Sequence, residues 1–228
     1  HYENFPVASL LVPGAMRSHI TAVYAVARLG DDIADEPDQL PGMDERYAGL
    51  DFLDRAVDGT IDCTGHPIIM AVRATMLECG LPPAPFHRLF EAFRRDLVPA
   101  NMRSWDDVMD YCTYSANPVG ELVLRIAGDA SPAAIAASDA ICTALQITNF
   151  LQDLSVDLAR GRHYVPGSVQ EAVTITRRLF DQGAGVTRHV RSWRLKAELK
   201  AIILGGRLML RKCERLGDDL YTRRPTLP

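Results

Sequence analysis

The sequence predicts an all-α protein, a single-domain helical bundle with a central cavity, and three observations carry that expectation. Apolar residues recur with the 3.6-residue period of a helix in almost every long segment, and no convincing alternating strand is found. The 228 residues are 47% apolar and 24% charged, which is enough core for one domain and excludes a disordered chain. Neither a 20 to 50 residue repeat nor a low-complexity linker divides the chain, so residues 1–228 read as one domain.

The helices follow in order at 15–35, 44–58, 67–79, 84–98, 105–127, 132–160 and 171–222. The fifth is interrupted near Asn117-Pro118, and the last around Gly183 to Gly185 and again at Gly205-Gly206. Their punctuation has physical causes. Ser104 and Ser131 offer side-chain oxygens to the first free N–H groups of the helices they precede. Pro132 suits a first helical position, whereas Pro82-Pro83 and Pro99 cannot continue a helix.

Charge narrows the function classes. With 25 basic against 29 acidic residues there is no basic excess of the kind that follows phosphate backbones, so no nucleic-acid partner is expected. The five cysteines, Cys63, Cys79, Cys112, Cys142 and Cys213, show no metal-type spacing and read as reduced thiols of a cytoplasmic protein. No apolar run is long enough for a membrane span, no signal segment is evident, and no amphipathic anchor stands out. The six histidines show no ligand spacing, and Arg177-Arg178 and Arg223-Arg224 read as solvated faces.

The informative segment is 20–36, ITAVYAVARLGDDIADE. On helical geometry Tyr24, Arg28, Asp31 and Asp35 fall within an arc of about 60°, with Asp32 on its flank. Nearly everything else there is Ile, Ala, Val or Leu, so a narrow polar line runs along an apolar cylinder and is expected to face an interior cavity. Acids four residues apart repel one another, and burial raises that cost. A cation between them relieves it.

A second stripe lies at 141–160, where Gln146, Asn149, Asp153, Asp157 and Arg160 share an arc of roughly 80°. Two such stripes facing each other inside a bundle make a site of the kind in which bundles hold metals and ligands. Every candidate ligand is an oxygen, which suits Mg²⁺, an ion that keeps some waters and binds substrate phosphates. There is no Glu-x-x-His for a di-iron centre and no Walker loop for a nucleotide.

Other residues extend the site. A single arginine inside an acidic, apolar stripe needs a reason, which makes Arg28 the stronger candidate for a phosphate contact; Arg162 and Tyr164, just past the second stripe, are placed to reach a phosphate or the cavity, though an arginine at a helix C-terminus also suits the dipole. Tyr24, Tyr111, Tyr114, Phe5 and Phe150 are candidates for the cavity wall, and Tyr111 and Tyr114 precede a break at Asn117-Pro118 where a ligand can approach the backbone. Metals and arginines over a dry apolar pocket suit the ionisation of an allylic or cyclopropylcarbinyl diphosphate. An all-α nucleotide pyrophosphohydrolase would instead carry Glu-rich E-x-x-E helices, and a non-enzymatic helical binding module is the remaining alternative.

The segments HYENFPVAS (1–9), YAVARLGDDIAD (24–35), YCTYSANPVGELVL (111–124) and LQITNFLQDLSVDLARGRHYVP (145–166) closely resemble the squalene/phytoene synthase family. The resemblance implies the isoprenoid synthase type of helical bundle. It also implies Asp31, Asp32 and Asp35 as a first Mg²⁺-binding motif and Asn149, Asp153 and Asp157 as a second, with Asp31, Asp35, Asp153, Asp157 and Tyr164 catalytic. Arg28, Arg162 and Tyr164 would contact the diphosphate, with Gln146 beside them.

Within the family the segments are most similar to the bacterial branch of the hopanoid route. That implies presqualene diphosphate as substrate, ionised and captured by water to give hydroxysqualene and pyrophosphate, with Mg²⁺ and without NADPH. It implies too a functional link to the enzyme that supplies presqualene diphosphate, and loose contact with a membrane surface for a poorly soluble product. The alternative is a head-to-head condensing enzyme making presqualene diphosphate, squalene or phytoene. Many condensing members have Arg-Asp-x-x-Glu-Asp where this chain has Gln152-Asp153-Leu154-Ser155-Val156-Asp157, a change expected to accompany the different reaction. The stretch from Pro166 to Thr176 is shorter than in the family and the chain ends early at Pro228, so missing residues are expected, because a true deletion would open the cavity to water.

Overall fold

The computed structural model describes residues 12–35 and 42–226, Asp35 by its backbone alone. The chain order is α1 (Gly14–Asp35), α2 (Met43–Val57), α3 (Pro67–Cys79), α4 (Ala84–Asp96), α5 (Trp105–Ser115), α6 (Asn117–Ile126), α7 (Pro132–Gln152), α8 (Leu154–Ala159), α9 (Val169–Gly183) and α10 (Trp193–Leu216). Single 3-10 turns follow α9 and α10, at Ala184–Arg188 and Gly217–Tyr221. Among the described residues there is no strand, only an isolated parallel bridge between Asn101 and His163.

The expected caps form. Ser104 Oγ accepts from the Asp107 N–H while the Asp107 carboxylate accepts from the Ser104 N–H, closing a reciprocal cap on α5. Ser131 Oγ likewise accepts from the Ala134 N–H at the head of α7.

Burial falls into three apolar clusters. Leu50, Leu53, Ile69, Val72, Phe86 and Phe90 knit α1 to α4 together. Ile147, Leu151, Val173, Phe180, Leu210 and Cys213 join α7, α9 and α10. A smaller cluster, with Ile20, Leu124, Ala134 and Leu195, ties the start of α1 to α6, α7 and α10. Each fully buried Leu, Ile or Phe contributes roughly 1.5 to 3 kcal/mol. α6 packs against α1 and α4 on one side and α7 on the other, bridging the two halves.

Three expectations need correction. The helix at 132–160 breaks at Asp153, whose backbone (φ −100°, ψ 7°) ends α7 and opens α8, so Arg160 does not continue the Gln146 face. The interruption expected at Gly205-Gly206 is absent. α10 runs straight through, because a Cβ on Gly206 would stand 2.6 Å from Leu145 Cδ2 and 2.8 Å from Phe180 Cζ; the glycine serves close helix packing. Finally, one helix, α7, is long and apolar enough to cross a membrane, against the expectation of none. Half of that stretch is buried against neighbouring helices, the signature of a core helix.

Pro166 leads into α9 within three residues. Ser168 caps the helix, and Val169, Ala172, Val173 and Thr176 are buried. All five cysteines are free thiols.

Candidate active site

α1 and α7 meet through the buried cluster of Ile20 and Ala134, and each sends one face to a shared cavity of about 380 Å³. From α1 come Ile20, Val23, Tyr24, Ala27, Arg28 and Asp31, and from α7 Ser138, Ile141, Cys142, Leu145 and Gln146. Both sets step by three and four residues, the spacing of a single helix face. In each the polar side chains that the sequence singles out lie at the C-terminal end. Val119 and Val123 of α6 and Leu199 and Ile202 of α10 complete an apolar wall. Ser115 and Ala116, at the break between α5 and α6, border it too.

The polar end is held by ion pairs. Arg28 Nη1 donates to Asp31 Oδ2 at 3.0 Å, and its Nη2 stands 2.6 Å from Asp32 Oδ1. Tyr24, Arg28, Asp31 and Gln146 therefore border the cavity as expected, while Asp32 sits just behind Arg28. The side chain of Asp35 and all of Phe5 lie outside the described residues.

Asn149, Asp153 and Asp157 lie beyond Gln146 and are not part of the cavity wall. Asp153 Oδ1 is 2.5 Å from Arg224 Nε, a contact supplied by the C-terminal segment. The Asp157 carboxyl is pushed up to about 6, first by burial and then by the charge of Asp153, against the opposing pull of Arg162, Arg160 and Arg224. The Arg162 N–H donates to the Asp157 carbonyl at 2.9 Å. Next to it, His163 exchanges backbone bonds with Ala100 and Met102, at 2.7 and 2.8 Å, fixing this segment on the 100–102 stretch.

The expected aromatic lining is largely corrected. Tyr164 stacks on Phe150 with ring centres 4.3 Å apart and planes 2° from parallel, and Tyr111 closes the group at 5.8 Å from Tyr164. These three belong to the core beside α7, where the Tyr111 hydroxyl donates to the Asp96 carboxylate at 2.8 Å. Tyr114 lies under the Arg95 guanidinium, 3.9 Å from its ring centre. α5 is rotated so that its tyrosines face α4 and α7, and its end at Ser115 meets the cavity.

Some wall residues escaped the sequence reading. Cys142 and Ser138 lie one and two turns before Gln146 on the same face, and extending that stripe backwards would have found them. Gly120 makes room for both, since a Cβ there would stand 2.3 Å from Ser138 Oγ and 2.6 Å from Cys142 Sγ. Burial pushes the Cys142 thiol up to about 11, so it is a neutral wall group. Arg224, read in the sequence as part of a solvated face, is paired with Asp153, a contact across 71 positions that no local pattern announces.

Among the described residues no three acidic, histidine or cysteine side chains gather into a chelating cluster. The donor set nevertheless fits Mg²⁺: its groups are carboxylate and amide oxygens in pairs, and this ion is ordinarily held by one or two carboxylates together with substrate phosphates. Arg28 on Asp31 and Asp32, and Arg224 on Asp153, show both acidic groups already drawing a cation.

The fold is the all-α bundle of the isoprenoid synthase type, with a largely apolar cavity between α1 and α7. More particularly, the chain belongs to the squalene/phytoene synthase family, whose sequence profile matches residues 1–172. It is 39% identical over 177 residues to the hydroxysqualene synthase of Zymomonas mobilis, covering 76% of this chain and 58% of that protein. It is 31% identical over 182 residues to the phytoene synthase of Mycobacterium tuberculosis, covering 80% and 59%. The crystal structure of squalene synthase HpnC from Alicyclobacillus acidocaldarius superposes with a TM-score of 0.85 at 39% identity, over 96% of this chain and 90% of that one. The chain thus spans somewhat over half the length of its hydroxysqualene synthase relatives, between 55% and 58%.

Proposed function

We propose that the protein acts on presqualene diphosphate, releasing pyrophosphate and capturing water to give hydroxysqualene, with Mg²⁺ and without NADPH. The observation that carries this reading is the cavity itself, largely apolar and bordered by Tyr24, Arg28, Asp31 and Gln146. The 39% identity to proteins named hydroxysqualene synthase supports it.

In this reading Asp31, Asp32 and Asp35 on one side and Asn149, Asp153 and Asp157 on the other hold Mg²⁺. When bound, the metal supplies positive charge for the departing diphosphate. Asp31 and Asp32 hold the Arg28 guanidinium at the polar end, where its fork meets phosphate oxygens without first having to be ordered. Gln146 donates from the facing helix. Arg162, fixed by the backbone clamp at His163, stands ready on the α8 side. Tyr164 acts by holding that segment through its stack on Phe150, a positioning role. Ile20, Val123, Ile141, Leu199 and Ile202 keep water from most of the hydrocarbon, so a carbocation survives until capture.

Incubation of the purified protein with presqualene diphosphate and Mg²⁺, without NADPH, should yield hydroxysqualene and pyrophosphate, and chelation should stop it. Unchanged substrate overturns the proposal. A second reading, head-to-head condensation, draws on the phytoene synthase relatives at 31% identity. It would be marked by pyrophosphate released from farnesyl or geranylgeranyl diphosphate alone.

A further inference from the structure

α10 has two apolar faces, and the fold uses only one. Leu195, Met209, Leu210 and Cys213 are buried on the inner face, and Leu199 and Ile202 line the cavity. On the outer face Trp193 is 72% exposed, Leu204 59% and Leu208 44%, with Ala201 exposed among them. Taking Leu204 as the centre, helical geometry places these residues and Ala197 within about 60° of it.

The same outward side carries the charge. α10 holds seven basic residues, Arg194, Lys196, Lys200, Arg207, Arg211, Lys212 and Arg215, and two acidic ones. All seven fall within about 80° of Leu204, with Lys200, Arg211 and Arg215 exposed among the apolar side chains. Of the two acids, Glu198 is 2% exposed and about 120° from Leu204, and Glu214, at about 80°, is paired with Arg177 at 2.7 Å. Arg207 is paired with Asp181, and Asp218 and Asp219 lie beyond the helix end at Gly217. The chain as a whole carries a net charge of −4, so a basic, apolar helix face on it is a local departure.

We infer that the outer face of α10 docks onto an anionic lipid bilayer. Exposed leucines with a tryptophan at one end suit the headgroup and acyl boundary, and flanking lysines and arginines suit anionic headgroups. The charge argues against a second copy of this chain, since face-to-face pairing would bring two predominantly basic sets together, and the acids at their edges, Glu214 and Asp181, are already paired with Arg177 and Arg207. The docking stands whatever reaction the cavity performs. It sets the bilayer one helix thickness from the cavity, because Leu199 and Ile202 line the inside of the helix whose outside carries Leu204.

The test is co-sedimentation of the full chain with phosphatidylcholine vesicles, with and without a minority of phosphatidylglycerol. Binding to the anionic vesicles should exceed that to neutral ones by about tenfold and weaken with salt. It should be accompanied by a blue shift in tryptophan emission that Trp193→Phe removes. Leu204→Glu with Leu208→Glu, and separately Lys200→Glu with Arg211→Glu, should each abolish most of the binding while leaving the circular dichroism unchanged, since all four side chains are exposed. Failure of the folded protein to sediment with anionic vesicles overturns the inference, as does undiminished binding by both double variants. A dimer in vesicle-free solution that Leu204→Glu with Leu208→Glu splits would assign the face to a second copy and also overturn it.

Discussion

Arg224 Nε lies 2.5 Å from Asp153 Oδ1, so a residue near the end of the chain neutralises an acid of the second stripe 71 positions earlier. Both side chains are more than a third exposed, which limits the strength of the pair. In the proposed reaction the arginine competes with the metal. Arg224→Gln should lower the Mg²⁺ concentration for half-maximal pyrophosphate release by a few fold, roughly what a screened pair of this kind allows. A higher Mg²⁺ requirement would mean that Arg224 helps the site to form.

Asp31→Asn and Asp153→Asn should each reduce Mg²⁺-dependent turnover by roughly 100-fold or more, the scale of losing one preorganised charge contact. Each change also removes one of several crowded carboxylates, and the ion pairs lost are partly exposed. Melting temperatures should therefore stay within a few degrees of the parent. Turnover surviving in both variants would refute the acidic site.

Asp139 gives a pH signature. Burial, helped by Glu121 and opposed by Arg88, lifts its carboxyl from the ordinary 3.8 to about 6. A folded-state value above the unfolded one means that the fold binds the proton more tightly. The resulting stability is complete below about pH 4 and is lost as the pH rises through about 6. Asp139→Asn should therefore stabilise the fold near neutral pH by about 1 kcal/mol after discounting for partial hydration, seen as a higher melting temperature, and have no effect below about pH 4. Thermal melts across that range measure it.

Two adjacent glycines should respond with opposite sign. Nothing lies within 4 Å of where a Gly205 Cβ would be, so Gly205→Ala gains helix propensity, about 0.5 to 1 kcal/mol. Gly206→Ala pushes a methyl against the buried Phe180 ring and Leu145 and should cost roughly 1 to 3 kcal/mol. Chemical denaturation of the two variants distinguishes them.

The helices were legible because their causes are local. Periodicity marked α1 and α7, and Ser104 and Ser131 announced the caps that form at their positions. The Gly205-Gly206 pair misled because it breaks helices only where no neighbour needs close approach. That supposed break also hid the outer face of α10, since it divides Trp193 and Leu204 from Leu208 and Arg215. At the site, Tyr24, Arg28, Asp31 and Gln146 were legible from a single stripe each. The places of Tyr111 and Tyr114 were not, because the rotation of α5 decides whether an aromatic meets a cavity or a neighbouring helix, and Phe150 is taken up by its stack on Tyr164. Arg224 reaches Asp153 only through the path of the tail.

The matched faces of α1 and α7 also form a graduated scale. Counted back from Arg28 and from Gln146, wall residues recur after four positions, at Tyr24 and Cys142, and after eight, at Ile20 and Ser138. Each interval of four is about 6 Å of helix, so place in the sequence translates into depth below the charged end. For a hydrocarbon lying along this wall, bulk added at Ile20 or Ser138 would stop its far end, while bulk at Tyr24 or Cys142 would crowd carbons about 6 Å from the diphosphate. In the proposed reaction one pair of rungs would thus set how long a tail can be, and another how its reacting end is turned.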